Sequence, residues 1–360
     1  MKIAVAAELA PAKTIIPVLE KLDAEVMGLA HGNGAEELLT QYCSEIYSIG
    51  QGRGAGAQKR SNSKIGYLVM KDIIKTAQAM RGKGIDLLIT CGNAGDVRKG
   101  LSAANLLRIP TLHIEQDIYN PIEMISFADM VTAPSKDYQN YLKNQYSIKN
   151  VKNIGGYPMA SFIDKMNLMD KNKLKDLYDV DEFILVALGG DLKAYQIPDL
   201  IKIIESLDKT TLIVPFRFER DYVKSLISPS FSSKIKVLEG FVDLPSIMNA
   251  SDLLIYGAGM GITIEAGVLN VPSIKIAGFH HKHSSVDLAR KLGISVAKLE
   301  NIPQEMENVN APVGGSEMVN HAEKSVDNLL DIINHFEDLK KSKSGFKTLK
   351  KIWNARSEFR

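Results

Sequence analysis

Short apolar runs, separated by stretches with helical periodicity, recur along most of the chain. The first runs lie at residues 2–7, 26–30, 45–49 and 86–90. Uninterrupted apolar runs of this length are typical of parallel strands that are covered on both faces. The first part of the chain is therefore predicted to alternate between strands and helices.

The same alternation restarts in the second half, with apolar runs at residues 183–188, 211–215, 235–238, 253–256 and 295–299. A break at Gly155 and Gly156 separates the two series. We therefore predict an α/β protein of two Rossmann-like, doubly wound domains that face a central cleft. The N-terminal domain is placed at residues 1–156, the C-terminal domain at 157–330, and a basic helical tail at 331–360.

Composition narrows the class of protein. The 360 residues are 45% hydrophobic and 24% charged, which is ordinary for a globular protein of two domains. A net charge of +2 does not favour nucleic acid as a partner. The two cysteines, Cys43 and Cys91, lack metal-binding spacing and fit a reducing compartment. Since no signal peptide or membrane-spanning run is recognisable, we expect a soluble cytoplasmic protein.

A glycine-rich turn follows the apolar run at residues 253–256. It contains Gly257, Gly259 and Gly261 and leads into a predicted helix that carries Glu265. Glycine lets a backbone approach a ligand closely, and the N–H groups at a helix start suit a phosphate. The turn is a candidate phosphate site, with Glu265 placed to bind sugar or ribose hydroxyls. The alternative is a tight strand-to-helix turn with a surface acid.

A second candidate site follows a predicted strand in the N-terminal domain. His113, Glu115 and Asp117 alternate along the chain, so in an extended strand their side chains share one face. Strand ends of open α/β sheets are where ligands bind. A catalytic site is therefore predicted here, and a satisfied hydrogen-bond cluster is the alternative.

Three basic or histidine-rich segments indicate function less clearly than the two candidate sites. The glycine-rich, basic residues 50–64 either close over an anionic ligand or form a solvated loop. The tail at 340–360 either meets an anionic membrane or partner or packs as a terminal helix. His280, His281 and His283 suggest metal binding, but no carboxylate or cysteine at ligand spacing supports it. No metal is predicted.

Residues 251–276, and Leu188 with Gly189 and Gly190, resemble the donor-binding segments of the MurG-like glycosyltransferases. These enzymes share the GT-B fold with the non-hydrolysing UDP-N-acetylglucosamine 2-epimerases. The resemblance places the diphosphate at Gly259, Met260 and Gly261, and the nucleobase beside the segment that begins at Phe241. The nucleotide-sugar-binding residues that it implies are Gly189, Gly190, Phe241, Val242, Leu244, Gly257, Gly259, Met260, Gly261, Glu265, His281, His283 and Ser284.

The segment 87–134 is more similar to the epimerases. His113-Ile114-Glu115 matches their His-Val-Glu, but Asn93 stands where they have a catalytic Asp. Their arginine-bearing motif is reduced to a segment that ends at Glu123 and lacks the arginine. An amide cannot act as a general acid or base, so ordinary 2-epimerisation is disfavoured. The implied catalytic residues are His113, Glu115, Asp117 and Glu123.

The leading hypothesis is a glycosyltransferase that moves a sugar from a nucleotide-diphosphate donor, UDP-linked, to an unknown acceptor. Glu115 or Asp117 would deprotonate the acceptor, with His113 as an alternative base. The rivals are a 2-epimerase-like enzyme and a non-catalytic nucleotide-binding protein. No cofactor is required. Beyond the nucleotide sugar and the acceptor, the predicted partners are a membrane surface met by the basic tail and a second copy in a homodimer, with no nucleic acid.

Overall fold

The chain forms two compact units, which we describe from a computed structural model. It describes residues 1–50, 62–93, 95–278, 283–338 and 341–357, so most of the predicted basic loop at 50–64 lies outside the described residues. The first unit comprises Met1–Phe162 and Asn320–Arg360, and the second comprises Ile163–Val319.

The first unit contains a seven-stranded parallel sheet. Its strands are β1 (Lys2–Ala6), β2 (Glu25–Ala30), β3 (Glu45–Ser48), β4 (Leu87–Cys91), β5 (Thr111–Ile114), β6 (Met130–Ala133) and β7 (Val151–Asn153). They lie in the order β3-β2-β1-β4-β5-β6-β7. Ile3 and Val5 pack in one core, and Ala4 and Ala6 pack in another. Both faces of β1 are therefore covered, which is why this strand is apolar from Ile3 onwards.

Helices cover both faces of this sheet. They are α1 (Leu9–Leu19), α2 (Asn33–Thr40), α3 (Asn62–Met80), α4 (Gly95–Leu107), α5 (Lys136–Tyr146) and α6 (Met159–Asp164). Two later helices, α14 (Gly315–Asn334) and α15 (Phe346–Ser357), add to the same cores. Val326 and Leu329 of α14 lie in the core that contains Ile3, and Ile352 of α15 is fully buried. The terminal helix therefore packs through an apolar contact with the first unit.

The second unit contains a six-stranded parallel sheet. Its strands are β8 (Ile184–Ala187), β9 (Thr211–Val214), β10 (Ile235–Val237), β11 (Leu253–Tyr256), β12 (Ser273–Ile276) and β13 (Ser295–Ala297), in the order β10-β9-β8-β11-β12-β13. Its helices are α7 (Lys171–Tyr178), α8 (Ile197–Ser206), α9 (Arg220–Ser225), α10 (Leu244–Ala250), α11 (Met260–Val268), α12 (Ser284–Lys291) and α13 (Ile302–Met306). The two predicted doubly wound parallel sheets are thus both present.

Each sheet has one point at which the direction of strand addition reverses. In the first unit it lies between β1 and β4, and in the second it lies between β8 and β11. In open α/β sheets, the loops diverge at such a point at the carboxyl ends of the strands and leave a crevice in which ligands bind. Within the described residues, no helix combines the length and apolar character needed to cross a membrane.

Candidate functional site

Two glycine turns meet at the reversal point of the second sheet, one after β8 and one after β11. A Cβ atom on Gly189 would overlap Ala258 and lie 2.7 Å from the carbonyl oxygen of Gly257. A Cβ atom on Gly257 would overlap the side chain of Leu192. The Asp191 amide donates to the Gly257 oxygen at 3.0 Å. Gly189 therefore packs against the second turn and Gly257 against the side chain of Leu192, which favours glycine at both positions.

Replacing Gly189 by Ala is expected to destabilise the protein by about 1–3 kcal/mol, because the added methyl group has no room against the second turn. Gly190→Ala is the matched control, since a Cβ atom there meets nothing within 4 Å. The measurement is the free energy of unfolding in urea. Equal stability of the two variants would contradict the packing.

Helix α11 begins directly after the second turn, and no side chain among the described residues caps its N-terminus. Its N-cap residue, Gly259, has extended backbone (φ −82°, ψ −150°) and no side chain to accept from the first-turn N–H groups. The first turn also contains no acidic residue. Within the described part of the chain, these N–H groups and the positive end of the helix dipole therefore meet no capping side chain, an arrangement that suits an anion.

A second helix start lies beside Gly259. A Cβ atom on Gly259 would lie 3.6 Å from Cε1 of His283, the N-cap residue of α12. Nδ1 of His283 accepts from the Ser285 backbone N–H at 3.1 Å and lies 2.7 Å from the Ser285 hydroxyl oxygen. Ser284 is fully buried. The structure therefore brings His283 to the glycine turn, with Ser284 next to it in the chain, whereas His281 lies outside the described residues.

A buried lysine beneath the turns was not anticipated from the sequence. Nζ of Lys275 in β12 lies 3.1 Å from Oδ2 of Asp191 and donates to the Ala258 carbonyl at 2.5 Å. It also lies 5.1 Å from the centre of the Tyr256 ring. Lys275 is fully buried. One ammonium group thus joins both glycine turns to β12 and holds their geometry. The available sequence signal was a lysine between Ile274 and Ile276 in a doubly covered strand, which must find a buried acid.

The other residues predicted to bind the nucleotide sugar lie in two places. Glu265 is buried in α11, one turn beyond its start, and is 3% exposed. Phe241 is 70% exposed and Val242 half-buried, just before α10, which begins at Leu244. A large aromatic ring left this exposed is available for stacking.

His113 and Glu115 are bonded to one another inside the first unit. Nδ1 of His113 lies 2.9 Å from the Thr90 hydroxyl, and its Nε2 lies 3.3 Å from Oε2 of Glu115. Oε1 of Glu115 accepts from the backbone N–H groups of Gln116 and Asp117, both at 2.9 Å. Both side chains are buried. These contacts form a buried hydrogen-bond cluster, and the catalytic roles of His113 and Glu115 stay predictions.

The predicted strand is also shorter than expected. β5 ends at Ile114, so Glu115 and Asp117 follow the strand and do not share its alternation. The physical reason is the Glu115 carboxylate, which binds the next two backbone amides and turns the chain out of the sheet. Asp117 is 5% exposed, and its Oδ1 accepts from the Tyr119 amide at 3.3 Å.

Glu123 has an arginine partner that the sequence did not indicate. Its carboxylate binds Nε and Nη2 of Arg98 at 2.6 and 3.0 Å. Burial acts to raise the pKa of Glu123, but the hydrogen bonds and charge of Arg98 outweigh it, and the pKa falls below its ordinary value. Glu123 is therefore an anion at neutral pH. Nearby, the Asn93 amide donates to the Asn120 carbonyl at 3.1 Å.

A further polar cluster lies at the reversal point of the first sheet. Glu8, His31 and Asp96 each offer a potential metal ligand, and these atoms lie within 4.8 Å of one another. However, Nζ of Lys99 lies 3.0 Å from Oδ1 of Asp96. Because the lysine already supplies a positive charge to this carboxylate, no metal is assigned here.

Comparison with known proteins finds one similar sequence and many similar folds. No family model matches the chain. A UDP-N-acetylglucosamine–N-acetylmuramyl-(pentapeptide) pyrophosphoryl-undecaprenol N-acetylglucosamine transferase from Clostridium botulinum is 23% identical over 279 residues, 75% of each chain.

Solved structures of 2-epimerases match the fold over nearly the whole chain. The Methanocaldococcus jannaschii UDP-GlcNAc 2-epimerase, in complex with UDP-GlcNAc and UDP, is 16% identical with a TM-score of 0.70, covering 93% of this chain and all of that one. The Rickettsia bellii UDP-N-acetylglucosamine 2-epimerase is 15% identical with a TM-score of 0.70, covering 94% and 96%. The predicted GT-B fold, and the resemblance to MurG-like transferases and 2-epimerases, are confirmed.

Proposed function

We propose that the chain is an enzyme that binds a UDP-sugar at the glycine turns of the second unit and transfers the sugar to an acceptor hydroxyl. The observation that carries the proposal is the uncapped start of α11 behind two interlocked glycine turns. Such a helix start binds a diphosphate through backbone N–H groups and the helix dipole. The curated relative supports the transfer reaction, because it is an N-acetylglucosamine transferase.

The proposed roles follow the order of groups in a nucleotide sugar. Backbone N–H groups after Gly257, at Gly259, Met260 and Gly261, bind the diphosphate and stabilise its charge as the leaving group. The exposed ring of Phe241, with Val242 and Leu244, flanks the base. His283 and Ser284 lie on the sugar side. The proposed binding of the diphosphate requires no metal ion.

Glu265 is proposed to bind the ribose hydroxyls. A carboxylate accepts from both hydroxyls of a ribose, and a charged acceptor strengthens each hydrogen bond. Glu265→Gln is therefore expected to weaken UDP binding about 10-fold, measured by calorimetric titration. Glu300→Gln, at an exposed glutamate of the same unit, is the matched control. An unchanged affinity in Glu265→Gln would remove this role.

A second candidate, 2-epimerisation, has one observation in its favour, the His113–Glu115 pair at 3.3 Å. Against it, Glu123 is held as an anion by Arg98, and the Asn93 amide cannot act as a general acid or base. Transfer is therefore the reaction that we propose.

The product of UDP-GlcNAc turnover in deuterated water separates these functions. A transferase releases UDP, slowly with water as the acceptor, and leaves ordinary hydrogen at C2 of the remaining substrate. An epimerase introduces deuterium at C2 and forms the C2 epimer. Binding of UDP-GlcNAc with neither product would indicate a non-catalytic protein and contradict the proposed transfer.

A further inference from the structure

The last helix of the chain, α15, has two faces of different character. Thr348 and Ile352 lie four positions apart and are buried against the first unit. Phe346 and Trp353 lie on another side of the helix and are 78% and 48% exposed. Large aromatic rings that are exposed on one stripe of a helix form a patch, and such patches mark interaction sites. This exposed face of α15 is therefore a candidate interaction surface.

Lysines lie between and beside the two exposed rings. Phe346, Lys350 and Trp353 follow the i, i+4, i+7 spacing, which places them on one stripe of the helix. Lys347 lies three positions before Lys350, and both lysines are exposed. Neither is paired with an acid in the part of the chain that the structure describes. The exposed face thus combines apolar rings with uncompensated positive charge.

The charge of this segment has a single sign. Residues 341–357 contain six lysine and arginine residues and no aspartate or glutamate. The whole chain has a net charge of only +2, so the positive charge is concentrated at this helix. Aromatic rings combined with lysines are typical of helices that lie in the interface of an anionic membrane. The charge of the face is therefore complementary to anionic lipid headgroups.

The cations on the inner side of α15 attach the helix to the first unit. Nζ of Lys351 donates to the Ser147 hydroxyl at 2.7 Å. Nη1 of Arg356 donates to the backbone carbonyls of Asn120 and Pro121 at 3.1 and 2.7 Å. These contacts fix the rotation of the helix, so its outer face is presented without a partner. Binding through this face then has a smaller ordering cost than binding through a disordered tail.

The start of α15 is positioned in the same way. The backbone N–H groups of Ser344 and Gly345 both donate to the Ser126 carbonyl at 2.9 Å. The Phe346 ring meets the Phe127 ring edge to face, with centroids 5.1 Å apart. Phe346 is thus held in place although most of its surface is exposed.

We propose that the exposed face of α15 docks the protein on an anionic membrane surface. Phe346 and Trp353 enter the boundary between headgroups and acyl chains, and Lys347 and Lys350 bind the anionic headgroups. Nucleic acid is the less favoured partner, because the chain as a whole is nearly neutral. The proposal concerns the first unit alone and does not depend on the proposed function.

Trp353 provides a site-specific measurement, because it is the only tryptophan of the chain. Its fluorescence is followed in the full chain as vesicles are added. With an equal mixture of phosphatidylcholine and phosphatidylglycerol, we expect the emission to shift to shorter wavelength and to be quenched by brominated acyl chains. With phosphatidylcholine alone we expect little change, and high salt should weaken the binding.

The lysine contribution is measured by cosedimentation with the mixed vesicles. The double variant Lys347→Gln, Lys350→Gln is expected to bind about 30-fold more weakly, because each cation near an anionic surface adds to the attraction. Lys171→Gln, Lys173→Gln is the matched control, since it removes two exposed lysines from α7 and should bind like wild type. Equal losses in the two double variants would show that the attraction is not located at α15.

The aromatic contribution is measured in the same way. Phe346→Ser is expected to weaken vesicle binding about 10-fold, because its ring no longer enters the interface. Tyr195→Ser is the control, at a ring of the second unit that is 71% exposed. Urea unfolding curves like that of wild type establish that each variant is folded.

Three results would overturn the proposal. The first is a wild-type chain that does not bind the mixed vesicles. The second is vesicle binding that leaves the Trp353 emission unchanged. The third is an emission shift with heparin or a single-stranded oligonucleotide but none with vesicles, which would assign the face to a soluble polyanion.

Discussion

The Gly259→Asp variant is expected to lose about 100-fold or more of its affinity for UDP without losing stability. Aspartate is among the best N-cap residues, because its carboxylate accepts from the first-turn N–H groups of the helix. In this chain those N–H groups are the proposed diphosphate ligands. The new carboxylate would occupy them and repel the anion. Since a Cβ atom at this position has ordinary contact distances, the fold accepts the side chain.

The measurements for this variant are a calorimetric titration of UDP and a urea unfolding curve. Gly259→Asn is the matched control, because it caps the same N–H groups without a negative charge and is expected to lose less affinity. A Gly259→Asp protein that binds UDP as tightly as wild type would show that the diphosphate does not lie at α11.

Loss of the Asp191 carboxylate is expected to cost about 3–5 kcal/mol of folding free energy, the largest stability effect predicted for this chain. In Asp191→Ala the fully buried Lys275 ammonium would lose the Asp191 carboxylate. Urea unfolding provides the measurement.

Two further variants test whether this loss of folding free energy arises from breaking the Lys275–Asp191 ion pair. The double variant Asp191→Asn, Lys275→Met removes both charges and is expected to recover much of the stability. Asp208→Asn removes the acid of an exposed pair, whose atoms lie 2.6 Å apart, and should change little. If Asp191→Ala were as mild as Asp208→Asn, the buried ion pair would not hold the turns.

The fold was predictable because its strands are covered on both faces. β1, predicted at residues 2–7, spans Lys2–Ala6, and every residue after Lys2 is buried. Such strands need continuous apolar runs, which stand out against the amphipathic helices between them. The glycine turn before α11 could likewise be predicted from the sequence. Its glycine at position 257 has a structural reason, because a Cβ atom there would overlap Leu192.

Several site contacts could not be predicted, because they join residues distant in sequence. Lys275 pairs with Asp191, 84 positions earlier, and the pairing depends on which strands are neighbours. His31 and Asp96 are 65 positions apart and meet through the strand order. The prediction that His113, Glu115 and Asp117 alternate along one strand was wrong for a local reason. The Glu115 carboxylate binds the backbone N–H groups of the next two residues.

A calorimetric titration of the wild-type chain with UDP and, separately, with uridine tests whether the diphosphate binds at α11. We expect one UDP site per chain and binding of uridine at least about 100-fold weaker, because the diphosphate makes the contacts with α11. No binding of UDP, or uridine binding as tight as UDP, would contradict it.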